Sequence, residues 1–297
     1  MLQLQLKTNN SLQNSMGNIL KAIQAIVNNP SIAVEMSSES ESQNRANQMG
    51  DALEDYVKDA FADCMGQDTE KKNHARAEAF SYLGNSSNPP DAMLKGSDAI
   101  EIKKITSIAT TQLQLNSSYP KNKLYSDNPK ISNECRNCEE WEERDMLYVV
   151  GQVDNTELRN IFFVYGDLYC DSREVYENVE NAIKDGLTDR GLELEDTNEL
   201  GRVNKVDHLN ISRLRIRGMW LIDSPYKHFA YLTEKENQEY TFRLIALIPK
   251  EKYTSFDNIK DFEDFCKKNN VSINDKEIKD PKNPARLISS KLIVYYK

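Results

Sequence analysis

The fold class is indicated most clearly by the segment Asp98-Ala-Ile-Glu-Ile-Lys-Lys-Ile105. Ile100 and Ile102 alternate along it with charged residues, which is the two-residue period of a half-buried β-strand. Glu101 and Lys103 therefore share the opposite face of that strand. The stretch predicts a strand of a sheet that carries ionic side chains on one face and core residues on the other.

A second motif lies just upstream of this strand. Asn88-Pro-Pro-Asp91 stands ten residues before Glu101, and Lys95-Gly-Ser97 between them is a turn signal. Asp91-Ala-Met-Leu94 is therefore predicted to fold back as the hairpin partner of the strand. This arrangement would bring Asp91 and Glu101 together at one metal ion.

Two carboxylates followed by a lysine occur in this order in metal-dependent nucleases. Mg²⁺ prefers oxygen ligands and keeps several waters, so Asp91 and Glu101 with a phosphate oxygen can hold it beside the scissile bond. The Lys103 ammonium can orient the attacking water and offset charge in the transition state, while the metal lowers the pKa of that water. The motif predicts Mg²⁺-dependent phosphodiester hydrolysis. The structural alternative is a turn capped by Asp91 and a solvated strand face.

An amphipathic helix is predicted over residues 44–61, where apolar residues recur at helical spacing. Glu54 lies at the edge of the apolar stripe, one turn from Val57 and two from Phe61. It is a fourth candidate catalytic residue that would complete the metal site. The alternative is an ordinary surface glutamate.

The polar segment Thr110–Lys123 follows the predicted strand and is rich in amides and hydroxyls. Between Lys103 and Lys130 the chain has five lysines and one acid, so this stretch is basic within an acidic protein. Such side chains suit phosphates and base edges. An ordinary polar loop is the alternative. The predicted DNA contacts in this segment are Asn116, Ser117, Ser118 and Lys121.

Arginines alternate with apolar residues in Arg213-Leu-Arg-Ile-Arg-Gly-Met-Trp220. If the segment is a strand, Arg213, Arg215 and Arg217 project from one face, where three guanidinium groups repel each other. The row suits a polyanion, and arginine is the usual bidentate reader of guanine. We predict that these arginines contact DNA; a solvated strand face is the alternative.

With these residues in view, the chain resembles the NgoPII-type family of type II restriction endonucleases, which have the PD-(D/E)xK nuclease fold. The resemblance runs over nearly the full length and is more specific than the catalytic motif alone. It is carried by residues 18–26, 44–47, 50–54, 88–91, 98–104, 115–120, 135–141 and 215–220.

The resemblance implies a Mg²⁺-dependent enzyme that cuts double-stranded DNA at a short palindrome, GGCC in this family. It assigns catalytic roles to Asp91, Glu101 and Lys103, with Glu54 beside them. A palindrome has a two-fold axis that a homodimer would match. A cognate DNA methyltransferase is expected in the same system, without a stable complex. The alternatives are a structure-selective or repair nuclease of the same fold and a DNA-binding protein that does not cleave.

The composition fits a cytoplasmic protein whose basic residues are segregated. The chain has 297 residues, 39% of them hydrophobic, and a formal net charge of −9. Residues 171–200 hold ten acids and three bases, whereas 201–220 hold five bases and one acid. A DNA-binding protein with an acidic total needs such segregation, and the acidic stretch is predicted to face away from DNA.

Other function classes find little support in the sequence. There is no apolar run long enough for a membrane span, no signal-peptide core at the start and no P-loop motif. The histidines are isolated. Cys135 and Cys138 form a lone CxxC without a second pair, so reduced thiols are favoured over structural zinc.

The predicted architecture is an α/β fold with a central mixed sheet flanked by helices, the PD-(D/E)xK core, and an elaborated C-terminal half that reads DNA. We expect a single domain with a helical part at about 16–80, a catalytic core at about 81–170 and a DNA-reading part at about 171–297. Helices are predicted at 18–29, 49–62, 174–187 and 256–268, with a polar loop at 37–43. Strands are predicted near 98–105, 146–153, 161–165, 242–248 and 287–296.

Overall fold

The structure is a computed structural model that describes residues 17–30, 42–116, 118–154, 157–192, 194–195, 200–204, 206–209, 211–233 and 239–297. The helices are α1 (Ile19–Asn28), α2 (Ser42–Phe61), α3 (Thr69–Ala79), α4 (Asn133–Arg136), α5 (Arg173–Thr188), α6 (Pro225–His228), α7 (Lys250–Thr254) and α8 (Ile259–Lys268). The strands are β1 (Phe80–Tyr82), β2 (Ala92–Leu94), β3 (Ala99–Ile105), β4 (Gln112–Asn116), β5 (Lys123–Tyr125), β6 (Glu143–Asp154), β7 (Glu157–Tyr165), β8 (Gly201–Val203), β9 (Leu214–Ile216), β10 (Met219–Asp223), β11 (Arg243–Pro249), β12 (Ser272–Asp280) and β13 (Asn283–Tyr296). Single 3₁₀ turns cover 166–168 and 230–232.

A central mixed sheet runs in the order β1-β2-β3-β6-β7-β11-β13-β12, and β5 pairs with β6 off this path. β3 is parallel to β6, and β7 is parallel to β11, while the other pairs are antiparallel. The predicted mixed α/β fold with helices flanking a central sheet is confirmed. Two separate antiparallel ribbons, β4 with β10 and β8 with β9, lie outside this sheet.

The sheet separates two hydrophobic cores. Alternate residues of each central strand enter opposite cores: in β6, Leu147 and Val149 pack with helices α1, α2 and α8, whereas Tyr148 and Val150 face the loops and ribbons on the other side. Helix α2 approaches β6 closely at Gly151, where a Cβ atom would lie 2.7 Å from the Leu53 side chain. Helices α1, α2 and α8 thus cover one face of the sheet, whereas the short helices α4 and α6 and the β4–β10 ribbon pack on the other.

A buried ion network fixes the start of β3. Asp98 is fully buried and accepts hydrogen bonds from the Lys252 ammonium at 2.5 Å and from the Tyr165 hydroxyl at 2.7 Å. Lys252 also donates to Asp145 at 2.7 Å. Because buried carboxylates need such partners, the network ties α7 to the ends of two neighbouring strands.

Several elements differ from their predicted bounds. Helix α2 begins at residue 42, so the predicted polar loop at 37–43 extends at most to 41, and residues 31–41 lie outside the described ranges. The predicted helix 256–268 begins only at Ile259; a shorter helix, α7, precedes it. Strand β12, which the sequence analysis missed, pairs with β13. Within the ranges given above, no helix is both long and apolar enough to span a lipid bilayer.

Candidate active site

Asp91 is held against β3 by two hydrogen bonds. Its main-chain amide donates to the Ile100 carbonyl at 3.0 Å, and its carboxylate Oδ2 accepts from the Ile102 amide at 2.6 Å. Strand β2 then runs antiparallel to β3, as the hairpin prediction required. Gly84 lies directly behind Asp91: it has φ of +82°, and a Cβ there would lie 2.2 Å from the Asp91 carbonyl oxygen. Only glycine permits this close approach.

Glu101 and Lys103 project from the same face of β3, because they are two positions apart along the strand, with only Ile102 between them. The Lys103 ammonium pairs with Glu101 Oε1 at 2.6 Å and lies 4.0 Å from Asp91 Oδ2. All three side chains are largely buried, with 17%, 12% and 26% of Asp91, Glu101 and Lys103 exposed. The structure therefore brings the predicted triad together.

The triad has strongly perturbed electrostatics. Burial, followed by the charge of Glu101, raises the pKa of Asp91 well above its ordinary range. Burial lowers the pKa of Lys103, but the charges of Glu101 and Asp91 and the hydrogen bond to Glu101 outweigh it, so that pKa is raised. The site thus holds more negative than positive charge in a poorly solvated place, an arrangement that a bound cation would stabilise.

The donor set fits a hard divalent cation. Glu101 Oε2 is buried and has no hydrogen-bond partner, and Asp91 is committed to the strand through Oδ2 alone. An unpaired buried carboxylate oxygen is costly unless a cation occupies its free side. Among the residues that the structure describes, no cluster of three or more His, Cys, Asp or Glu side chains forms a metal site. A cation here would take its remaining ligands from water and substrate.

An open cleft of about 170 Å³ surrounds the triad. One wall is the turn Asn85–Asn88, which Asn85 closes by accepting hydrogen bonds from the amides of Ser87 and Asn88 at 2.9 and 2.8 Å. The opposite wall includes Tyr148, Gln114 and the segment that follows β4. The cleft is polar and open, as binding of a phosphodiester backbone requires.

Lys121 lines this cleft as a buried amine rather than as an exposed contact. It is 4% exposed, and its ammonium donates to the Ser118 hydroxyl and to the Tyr119 carbonyl at 3.0 Å. Burial lowers the pKa of Lys121 to about 8, against the opposing charge of Glu101. Among the described residues, no carboxylate forms an ion pair with it. Its charge therefore faces the cleft with neutral oxygens as its direct partners.

The other predicted residues lie at different distances from the triad. Glu54 on α2 is not part of the cleft lining and pairs with Lys58 at 3.3 Å, but its charge contributes to the raised pKa of Asp91. Ser118 is buried in the cleft wall. Ser117 lies outside the described residues, and only the backbone of Asn116, at the end of β4, is described.

The arginine row is exposed but only partly within a strand. Strand β9 covers residues 214–216, so Arg213 and Arg217 flank it, and all three arginines are exposed. Arg215 lies opposite Arg202 of β8 in the ribbon, and the Arg202 side chain pairs with Glu195 at 3.2 Å. Leu214, which alternates with these arginines, is 50% exposed, because β9 joins a small ribbon and not the central sheet.

Sequence reasoning missed part of the cleft. Tyr148 lies opposite Glu101 in the pairing of β3 with β6, and its hydroxyl accepts from the Lys121 amide at 2.7 Å. The alternation within the predicted strand run 146–153 was the signal that could have found it. Gln114 lies in the amide-rich segment 110–123 but was not among the predicted contacts, and Asn85–Ser87 carried no local signal.

The CxxC pair consists of free thiols in this structure. Cys135 is buried, and the Cys138 thiol donates to the Cys135 carbonyl at 3.0 Å. Burial raises the pKa of Cys135 to about 12, which keeps the thiol protonated at neutral pH.

Comparison with known proteins connects this geometry to a family. The family model described as NgoPII restriction endonuclease matches residues 17–279. The chain belongs to the NgoPII restriction endonuclease family. It is 46% identical over 281 residues to the type II restriction enzyme NgoPII of Neisseria gonorrhoeae, a match that covers 94% of this chain and 99% of that enzyme. No solved structure matches the chain significantly. The predicted family and the predicted enzyme class, a type II site-specific deoxyribonuclease, are confirmed.

Proposed function

We propose that this chain is a Mg²⁺-dependent endonuclease of the PD-(D/E)xK fold that hydrolyses both strands of duplex DNA at a short palindrome, GGCC by the resemblance. The observation that carries the proposal is the Asp91–Glu101–Lys103 cluster, in which a buried Glu101 oxygen without a partner faces an open cleft. The restriction endonuclease family of the chain supplies the reaction class.

In this mechanism Asp91 and Glu101 would hold the Mg²⁺, which when bound would neutralise phosphate charge and favour deprotonation of the attacking water. Lys103 would orient that water and stabilise negative charge on the phosphorus oxygens. Its ammonium stays protonated because both carboxylates raise its pKa. Asp91 keeps its orientation because the Ile102 amide holds one of its oxygens. Glu54 would act at longer range, through its charge.

DNA would enter the cleft between the Asn85–Asn88 turn and the segment that follows β4. Asn116, Ser117, Ser118 and Lys121 would contact the strand near the cut, and Arg213, Arg215 and Arg217 would contact phosphates or guanines farther away. The exposed arginines support this assignment, since arginine forms bidentate contacts with phosphate and with guanine. The part of the chain from about residue 171 onward would thus serve as the DNA-reading part of a single domain.

A homodimer would place one active site on each strand of a palindrome. Exposed apolar side chains support a second copy as the partner. Apart from Met219 and Leu221 of the β4–β10 ribbon, nine large hydrophobic side chains between residues 175 and 231 are exposed among the described residues. On helix α5 the exposed Val175, Val179 and Ile183 follow a four-residue spacing and share one face.

Light scattering tests the dimer directly. The wild-type protein is expected at twice its chain mass of 34.1 kDa, and Val179→Glu combined with Ile183→Glu should shift it to the monomer. A wild-type protein that remains monomeric with and without cognate DNA would contradict the dimer.

Cleavage of unmethylated phage DNA tests the function. Wild type, Asp91→Ala and Lys103→Ala are incubated with Mg²⁺, and the fragment ends are sequenced. Discrete fragments with a common terminal sequence, absent from both variants, are expected. Random products would support a structure-selective or repair nuclease, and intact DNA in every lane would support a DNA-binding protein without cleavage. A methyltransferase that protects the same sequence is the expected companion of the enzyme.

A further inference from the structure

The ribbon formed by β4 and β10 has one face anchored to the protein. The strands pair without a bulge from Gln112 opposite Asp223 to Asn116 opposite Met219. Leu113 and Leu115 are buried in the core on this side of the sheet, and two residues of β10 pack against the same core. The ribbon is therefore held firmly along its length although it lies outside the central sheet.

The other face of this ribbon is exposed and chemically mixed. Gln112 and Gln114 project from it, because side chains alternate along a strand. Leu221 lies directly opposite Gln114 and is 49% exposed, and Met219 is 58% exposed. Amides beside exposed apolar groups match the floor of a DNA groove, which offers hydrogen-bonding edges and apolar carbon atoms.

This exposed face continues into the active-site cleft. Gln114 lines the cleft together with Asp91, Glu101 and Lys103. If the phosphate of a nucleotide lies at the triad, the base of that nucleotide is therefore near Gln114, the ribbon residue that lines the cleft. Gln112 lies two residues before Gln114 on the same face of the ribbon, farther from the cleft.

The dimensions of the ribbon suit the major groove. That groove is about 12 Å wide and accepts a two-stranded ribbon. Gln112 and Gln114 are about 7 Å apart along the strand, which equals two base-pair steps of about 3.4 Å. A glutamine amide carries both a donor and an acceptor, so it can distinguish base pairs by their edges.

Resting on the proposed cleavage of duplex DNA, we propose that the β4–β10 ribbon enters the major groove and that Gln114 and Gln112 are specificity-determining residues. Gln114 reads the base pair next to the scissile phosphate, and Gln112 reads the pair two steps farther along. Met219 and Leu221 fill the groove between these contacts and exclude water from them.

The test is cleavage of a duplex library randomised over the recognition window. Wild type, Gln112→Ala, Gln114→Ala and Gln114→Glu are compared with Gln67→Ala, which removes an exposed glutamine away from the cleft. Product ends are sequenced after digestion in Mg²⁺, and circular dichroism verifies the fold. Binding of the same library in Ca²⁺ is measured in parallel, so that base preference is read even if no enzyme cleaves.

Each alanine variant is expected to lose discrimination at one base pair by about 10-fold to 100-fold, while the preference at the other pairs is kept. The pair relaxed by Gln114→Ala should lie nearer the cut than the pair relaxed by Gln112→Ala. Gln114→Glu should favour cytosine on the strand that residue 114 faces, because a carboxylate can accept a hydrogen bond from the cytosine amino group. An unchanged preference, or cleavage that is slower by the same factor on every sequence, would overturn the proposal. A wild type that binds with base preference but cuts nothing would refute the cleavage mechanism alone.

Discussion

The Asp91 carboxylate accepts a 2.6 Å hydrogen bond from the main-chain amide of Ile102, the residue between Glu101 and Lys103. One strand therefore both carries two members of the triad and orients the third. Because a backbone amide sets this orientation, no substitution at position 102 other than proline removes the bond directly. The other carboxylate oxygen of Asp91, Oδ1, would then be available to bind the proposed Mg²⁺.

The Mg²⁺ requirement of cleavage should depend on pH. Burial and the charge of Glu101 raise the pKa of Asp91 to about 7, and a proton there competes with the metal. Below about pH 7 the Mg²⁺ concentration for half-maximal cleavage should rise up to about tenfold per pH unit, and above it the requirement should level off. Titrations at constant ionic strength measure this. A midpoint that stays constant from about pH 6 to about pH 8 would contradict it.

Asp91→Asn should stabilise the metal-free protein at high pH. The folded-state pKa of Asp91 is raised above its ordinary value of 3.8, so the folded state binds the extra proton and wild-type stability falls as pH rises from about 4 to about 7. Asparagine removes this loss. At about pH 8 the melting temperature of the variant should be a few degrees above that of the wild type, at roughly 2–4 °C per kcal/mol of added stability. At about pH 4 the two melting temperatures should be similar. A lower melting temperature at both values would refute the prediction.

Lys121→Met should weaken DNA binding and slow cleavage while keeping the fold, because methionine fills a similar volume. Burial lowers the pKa of Lys121 to about 8, so wild-type affinity should fall between about pH 7 and about pH 9 as the ammonium loses its proton. The variant should lack this fall. Fluorescence anisotropy without Mg²⁺ measures both, with Lys267→Met on helix α8, where the lysine side chain is 75% exposed, as the control for loss of a charge. The same fall in both variants would assign the pH dependence to other groups.

Replacing Arg213, Arg215 and Arg217 by glutamine should reduce the salt dependence of DNA binding. Each lost phosphate contact lowers the slope of log K against log salt concentration by about 0.9. Lys267→Gln on helix α8, whose side chain is 75% exposed, is the control for a change of net charge alone. A triple variant with the wild-type slope would show that the row does not contact phosphates.

Lys252→Met should destabilise the fold by about 3–5 kcal/mol, because it leaves the buried Asp98 carboxylate without its cation. Lys250→Met is the matched control: it lies two residues away, its side chain is 52% exposed, and its pairing with Asp275 at 3.6 Å contributes little. Urea unfolding of the three proteins measures the difference. Equal midpoints would show that Lys252 is dispensable to the network.

Local patterns in the sequence predicted the triad well. The hairpin between Asp91 and Glu101 spans few residues, and the alternation of Ile100 and Ile102 fixes which side chains share a face. The family resemblance added the reaction class, which residue periodicity alone does not supply. These predictions required no knowledge of contacts between distant parts of the chain.

The rest of the cleft depends on distant pairing. Gln112–Asn116 lies in the segment that was predicted to suit phosphates and base edges, with an ordinary polar loop as the alternative. No strand was predicted there, but the structure forms one whose partner, β10, lies some hundred residues farther along the chain. Lys121 looked like an exposed contact because its segment is polar, yet the Tyr148 hydroxyl and the Ser118 side chain enclose it. Burial of this kind depends on which surfaces meet after folding, and one short segment does not contain that information.

Strand β3 directs Ile100 and Ile102 toward the helices and directs Glu101 and Lys103 toward the cleft. A shift of the strand register by one residue would reverse both orientations at once. It would bury Glu101 and Lys103 against helix α2 and turn Ile100 and Ile102 toward the cleft. A chain in that register would lose the proposed nuclease chemistry as well, since the slip that spoils its core also separates Glu101 and Lys103 from Asp91. Correct pairing of one strand is thus a common condition for stability and for assembly of the proposed active site.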